Sequence, residues 1–102
     1  MESEYIYHIT TKLEWEQAKL NNEYKPLNYD QDGVIHCSIE KQIPGVIDRF
    51  YKDQKGLVML KIEKEKVKRP VLFELAHDID ELFPHIYGVL NLDSVVNVET
   101  IS

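Results

Sequence analysis

Between Glu4 and Thr10 the side chains alternate, with Tyr5, Tyr7 and Ile9 on one side of an extended chain and Ile6, His8 and Thr10 on the other. A period of two in β-branched and aromatic residues predicts a strand. From Thr11 the spacing lengthens: Thr11 and Glu14 are placed as a capping box, Leu13 and Leu20 are seven apart, Trp15 and Ala18 three apart, and two asparagines close the run. This predicts a helix of about three turns. Pro26 and the turn signature DQDG follow, and GVIHCS, residues 33–38, reads as a short second strand. Ile39, Ile43, Val46, Ile47, Phe50 and Tyr51 then recur as one continuous amphipathic stripe. Pro44 falls in or near the first turn of that helix, where its missing N–H does no harm. GLVMLKIE and PVLFEL are two more strands joined by a charged loop, and FPHIYGVLNLDSVVNVETI is a Pro- and Gly-punctuated segment leading into a last strand near Val95 to Ile101.

Helices confined to the first half suit an α+β fold better than a doubly wound parallel sheet. The expectation is a single compact domain over residues 1–102, mainly antiparallel, with two helices in its N-terminal half. The chain is 43% hydrophobic and 29% charged, with four Gly and four Pro, a globular composition. Its net charge of −6 lacks the positive field that nucleic-acid binding needs, so no nucleic-acid partner is expected. A single cysteine and an acidic start without an apolar leader predict a cytoplasmic protein, and no apolar run suggests a membrane role. No glycine-rich phosphate loop is present.

Polar residues standing where apolar ones belong are the candidates for chemistry. Among His8, His36, His77 and His85, two share a pattern: HIT and HCS each place a hydroxyl, Thr10 or Ser38, two residues after a strand histidine. On an extended chain such residues share a face about 7 Å apart, so both pairs are placed to line one cleft. Cys37 falls on the opposite face and reads as core packing. Glu74 alternates against Val71, Phe73 and Leu75; facing solvent it is inert, facing the cleft it is a carboxylate for general-base work or for polarising a sugar hydroxyl. FPHIYG is either a hydrophobic plug or a rigid ligand wall presenting His85 or Tyr87. The spacings of familiar metal sites are absent, so no metal is expected.

The ordered motifs YHIT, Trp15, Tyr24, DGVIHCS, Gln42, Phe50-Tyr51, LVMLKIE, LFEL and FPHIYGVLNLDSV resemble the small bacterial family numbered 952 among the domains of unknown function. That family is grouped by fold with the ADP-ribosyltransferases and RNA 2′-phosphotransferases, so the resemblance implies an ADP-ribosyltransferase-like cleft. It further implies that His8 and Thr10 bind a ribose and amide of NAD or a related nucleotide, with His36 and Ser38 lining the pocket. On this reading His36 and Glu74 are the catalytic candidates, and His8, Thr10, Ser38, His85 and Tyr87 bind the small-molecule ligand. The alternative is a non-catalytic module using the same cleft for a metabolite or partner. The phosphotransferases hold phosphate with arginines, and this chain has only Arg49 and Arg69, neither at a matching position.

Overall fold

The computed structural model describes residues 4–27, 29–76 and 79–101. Strand β1 (Tyr5–Thr11) opens the fold and pairs antiparallel with β4 (Leu57–Glu63), which pairs in turn with β8 (Val95–Thr100). A second three-stranded antiparallel sheet has the order β3-β6-β5, from Ile35–His36, Ile79–Ile86 and Val71–Ala76. A small ribbon joins β2 (Glu23–Tyr24) to β7 (Leu90–Asn91). Helix α1 (Lys12–Asn21) follows β1; one short turn, α2 (Tyr29–Asp32), precedes β3; α3 (Ile43–Phe50) follows it. This is an α+β domain of mainly antiparallel strands. No helix among the described residues is long and apolar enough to cross a membrane.

The core lies where these layers meet: Ile6, Tyr24, Ile35, Leu60, Ile62, Ile86 and Leu90 are each at most 1% exposed. Strand β1 is covered on both faces, so its alternation separates two environments rather than core from solvent. Cys37 is buried in the same core cluster, and burial pushes its thiol well above its usual range.

Helix α1 begins as its sequence dictates. The Thr11 side chain accepts from the Glu14 N–H at 3.1 Å, and Asn22 ends the helix in a left-handed conformation. Its buried side corrects the sequence reading. Leu13 and Leu20 are 72% and 80% exposed, whereas Ala18 is buried and Trp15 packs on the core. The two stripes lie on nearly opposite faces of a 3.6-residue helix, and only one of them can meet the sheet.

The second apolar stripe also divides. Glu40–Gln42 forms a 3₁₀ turn before α3, with Pro44 in the first turn of the helix. Pro44 cannot donate to the carbonyl one turn back, so one regular helix cannot run through from Ile39. Buried Gln42 fastens this turn, accepting from the Ile39 N–H at 2.9 Å and donating to the Leu82 carbonyl at 2.8 Å. Phe50 remains 56% exposed.

FPHIYG, which the sequence offers as a hydrophobic plug or a rigid ligand wall, is neither a separate plug nor a separate wall: Phe83 to Ile86 belong to β6, the central strand of its sheet. Pro84 explains both the misreading and a local feature. It accepts from the Cys37 N–H at 2.9 Å but has no N–H to return, so the β3–β6 ladder ends at His36. The chain then crosses to the other sheet, where Ser38 and Tyr7 exchange two backbone hydrogen bonds of 2.7 Å each. This crossing ties the two larger sheets together.

Candidate functional site

The crossing from β3 to β1 brings the His36 carbonyl to His8. His8 Nδ1 donates to that carbonyl at 2.6 Å, and its Nε2 lies 2.7 Å from the Tyr24 hydroxyl. The Tyr24 hydroxyl is 2.9 Å from Thr10 Oγ1, which is 3.0 Å from Glu14 Oε2. The Glu14 carboxylate also accepts from the Thr11 hydroxyl at 3.1 Å and the Leu27 N–H at 3.0 Å. β1, β2, α1 and β3 therefore supply one connected polar group at the edge of the apolar core.

Its front opens into a cleft of about 150 Å³ whose lining includes His8, Thr10, Glu14, Pro26, His36 and Tyr51. Tyr51, just beyond α3, reaches in and donates to the Ile9 carbonyl at 3.4 Å. Thr11 and Glu14 also border a larger open groove of about 710 Å³ between α1 and the 23–27 segment, with Leu13 and Leu27 on its rim.

Burial sets the electrostatics. Desolvation pushes His8 down to about 4, against the support of the His36 carbonyl and the Glu14 charge, so its ring is neutral at pH 7. For Glu14 partial burial works upward, but the donors Leu27 N–H, Thr10 and Thr11 outweigh it and hold the carboxyl below its usual range. Burial raises the Tyr24 and Tyr51 hydroxyls, so both stay protonated.

The sequence candidates divide into two groups. His8, Thr10 and His36 meet at the cleft. His36 points outward, its side chain 57% exposed, with Nε2 3.5 Å from Asp32 Oδ2. Ser38 is buried beneath, holding β1 by its backbone, and is not among the residues bordering the cleft. Glu74, His85 and Tyr87 gather on the β5–β6 face instead. The Tyr87 hydroxyl donates to Glu74, which raises the phenol, and His85 Nδ1 is 4.0 Å from the same carboxylate and 2.7 Å from the Phe83 carbonyl. The link between groups is an edge-to-face contact of His36 and His85, ring centres 4.9 Å apart. His77 lies outside the described residues. Among the described residues no three His, Cys, Asp or Glu side chains are grouped to hold a metal ion.

Three residues of the site escape a sequence reading. Glu14 looks like a helix cap, and it is one, but its carboxylate also faces the cleft. Tyr51 reads as the end of an apolar stripe. Tyr24 carries no local signal at all, because only the fold carries it to His8.

A family model described as "Protein of unknown function (DUF952)" matches residues 9–98. Among solved structures, the crystal structure of protein CC0527 from Caulobacter crescentus is similar, with a TM-score of 0.86 at 26% identity over 96% of this chain and 86% of that one. The solution NMR structure of the same protein gives a TM-score of 0.82, at 26% identity over 96% and 84%. No curated protein matches the sequence.

Proposed function

Since the chain belongs to the DUF952 family, whose name assigns no activity, we propose its function from the cleft itself: it binds NAD or a related nucleotide in an ADP-ribosyltransferase-like manner. The observation that carries this reading is the convergence of His8 and Thr10 from β1 with His36 from β3 on one cleft. These strands are joined by the Tyr7–Ser38 bridge, so the two histidines are held in a common frame. A space of about 150 Å³ accepts one ring or sugar rather than a whole dinucleotide. The remainder of such a ligand lies along the adjoining groove of about 710 Å³, which shares Thr11 and Glu14 with the cleft.

Non-catalytic binding is the reading favoured within this proposal. Glu14 is the carboxylate bordering the cleft, and it is engaged by three neighbouring residues, while Glu74 is committed to Tyr87 on another face. A transferase would instead rely on His36, the exposed imidazole of the cleft, as its base.

Thermal or chemical denaturation with NAD, ADP-ribose and a 2′-phosphorylated nucleotide tests binding. A ligand at 100 times its Kd adds about 2.7 kcal/mol. No stabilisation by any of the three contradicts the proposal. Release of nicotinamide from NAD, abolished by His36→Ala, would overturn the non-catalytic form.

A further inference from the structure

Two hydrogen bonds fix which way the backbone of β5 faces. The Pro84 carbonyl accepts from the Cys37 N–H at 2.9 Å, so Pro84 turns its backbone to the β3 side of β6, away from its partner Phe73 on β5. The Pro70 carbonyl accepts from the Tyr87 N–H at 2.9 Å, just before Val71 meets Ile86. Residues of an antiparallel ladder alternate between bonding their neighbour and facing away from it. Leu72 and Glu74 therefore bond to His85 and Phe83, while Val71, Phe73 and Leu75 turn their N–H and C=O groups to the open side. β5 ends the order β3-β6-β5, and among the described residues no backbone hydrogen bond reaches these outward groups from another element.

Natural sheets blunt such an edge with lysine, proline or a bulge. The run VLFEL, residues 71–75, has none of these: it keeps one register against β6, and the shift comes only after Leu75. Leu72, Phe73 and Leu75, together with Leu82 opposite Leu75, are 41–62% exposed. The edge of the other larger sheet differs, because β8 alternates Val96 and Val98 with Asn97 and Glu99 and meets β4 with a register shift. Charge is also divided along β5. Lys68 and Arg69, both exposed, precede it, and Asp80 and Glu81, both exposed, lie on β6 beside its far end. Run antiparallel to a copy of itself, this edge sets the basic end of each beside the acidic end of the other.

We propose that β5 is a dimerisation edge, pairing antiparallel with β5 of a second copy about a twofold axis at Phe73. In this register Phe73 meets Phe73, and Val71 meets Leu75 of the other copy, so every outward N–H and C=O of these residues finds a partner. A slip of one residue would set outward groups against inward ones. Glu74 falls opposite Leu72 of the other copy, so like carboxylates do not meet. Lys64 Nζ, 5.6 Å from the centre of the Phe73 ring, is bonded to Glu4 at 3.2 Å, so its charge is matched within its own chain. The two three-stranded sheets become one. This pairing is independent of the nucleotide reading, whose cleft lies between β1 and β3.

Sedimentation of the whole chain from about 10 μM to about 1 mM, with amide hydrogen exchange followed by NMR over the same range, tests the pairing. The mass should rise from 12.0 kDa toward twice that value. Exchange at Val71, Phe73 and Leu75 should slow as it does, while Leu72 and Glu74, already bonded to β6, stay protected throughout. Leu75→Lys sets a cation beside the partner's Val71 and the basic residues before it, and should weaken association at least about ten-fold. Val96→Lys, on the β8 edge, should leave association unchanged. The exchange pattern needs no variant and decides even if Leu75→Lys fails to fold. A chain that stays at 12.0 kDa at about 1 mM overturns the proposal, including the case in which this edge takes a strand from a different protein. A dimer that leaves Val71, Phe73 and Leu75 exchanging freely, or that Val96→Lys disrupts and Leu75→Lys does not, overturns it equally.

Discussion

His8 and His36 stand in nearly the same local sequence, a strand histidine followed by a hydroxyl residue, yet they do opposite things. His8 is buried with both ring nitrogens engaged, and His36 is exposed, its Nε2 3.5 Å from Asp32 Oδ2. Truncation should separate them. His36→Ala should change the free energy of unfolding by no more than about 0.5 kcal/mol, the worth of an exposed pair. His8→Ala leaves the Tyr24 hydroxyl and the His36 carbonyl without their partner and opens a cavity, and should cost about 3 kcal/mol in urea denaturation at neutral pH. Equal costs would mean that the two imidazoles are not so differently placed.

The same burial makes the protein acid-sensitive in a defined window. His8 is held at about 4 in the folded state against an ordinary 6.5, so on acidification the unfolded chain takes up its proton first. Stability should therefore fall between about pH 6.5 and about pH 4, by about 3 kcal/mol, with no further contribution from His8 below that. Glu14 acts in the same direction at lower pH: its folded carboxyl is depressed, and the stability it contributes is lost as pH falls through that depressed value. Denaturation curves collected across this range measure the effect. A protein that became more stable on acidification would contradict it.

At the scale of elements, local chemistry dictates the boundaries and tertiary contacts dictate the faces. Thr11 caps α1 as its spacing to Glu14 requires, so Thr11→Ala should cost about 1 kcal/mol. Gly88, just past β6, has φ +151°, and a Cβ there would lie 2.5 Å from Cγ and 3.0 Å from Cβ of Arg69. Those atoms are the stem of the arginine and cannot swing away freely. Gly88→Ala should cost about 2 kcal/mol, which thermal denaturation would register. The strands from Tyr5, Leu57, Val71 and Val95 were legible in the sequence, the first by its alternation and the others as short apolar, β-branched runs. The strand through Pro84 was not, because proline ordinarily argues against a central strand, and here it is accommodated where the β3–β6 ladder stops. For α1 two apolar pairs on opposite faces competed, and the sheet chose Trp15 and Ala18 over the larger leucines.

For the whole molecule, the sequence exposed half of the candidate site. His8, Thr10 and His36 could be found because polar residues in apolar strands are costly unless satisfied, and each stood out in a short window. Glu14, Tyr24 and Tyr51 could not: Glu14 is sufficiently explained as a helix cap and Tyr51 as the end of an apolar stripe, and Tyr24 and Tyr51 reach β1 only through contacts across 14 and 42 residues of chain. Glu74, His85 and Tyr87 stand apart from these, because the register of β5 on β6 gathers them around one another rather than over the cleft. The central claim is that the opening between β1 and β3 is where a nucleotide binds. Amide and side-chain NMR spectra of the full chain titrated with NAD test it most directly. The account predicts saturable shifts concentrated at Thr10, Glu14, His36 and Tyr51 and continuing along Leu13 to Asn21; saturable shifts confined to the Glu74–Tyr87 face, or none at millimolar NAD, would contradict it.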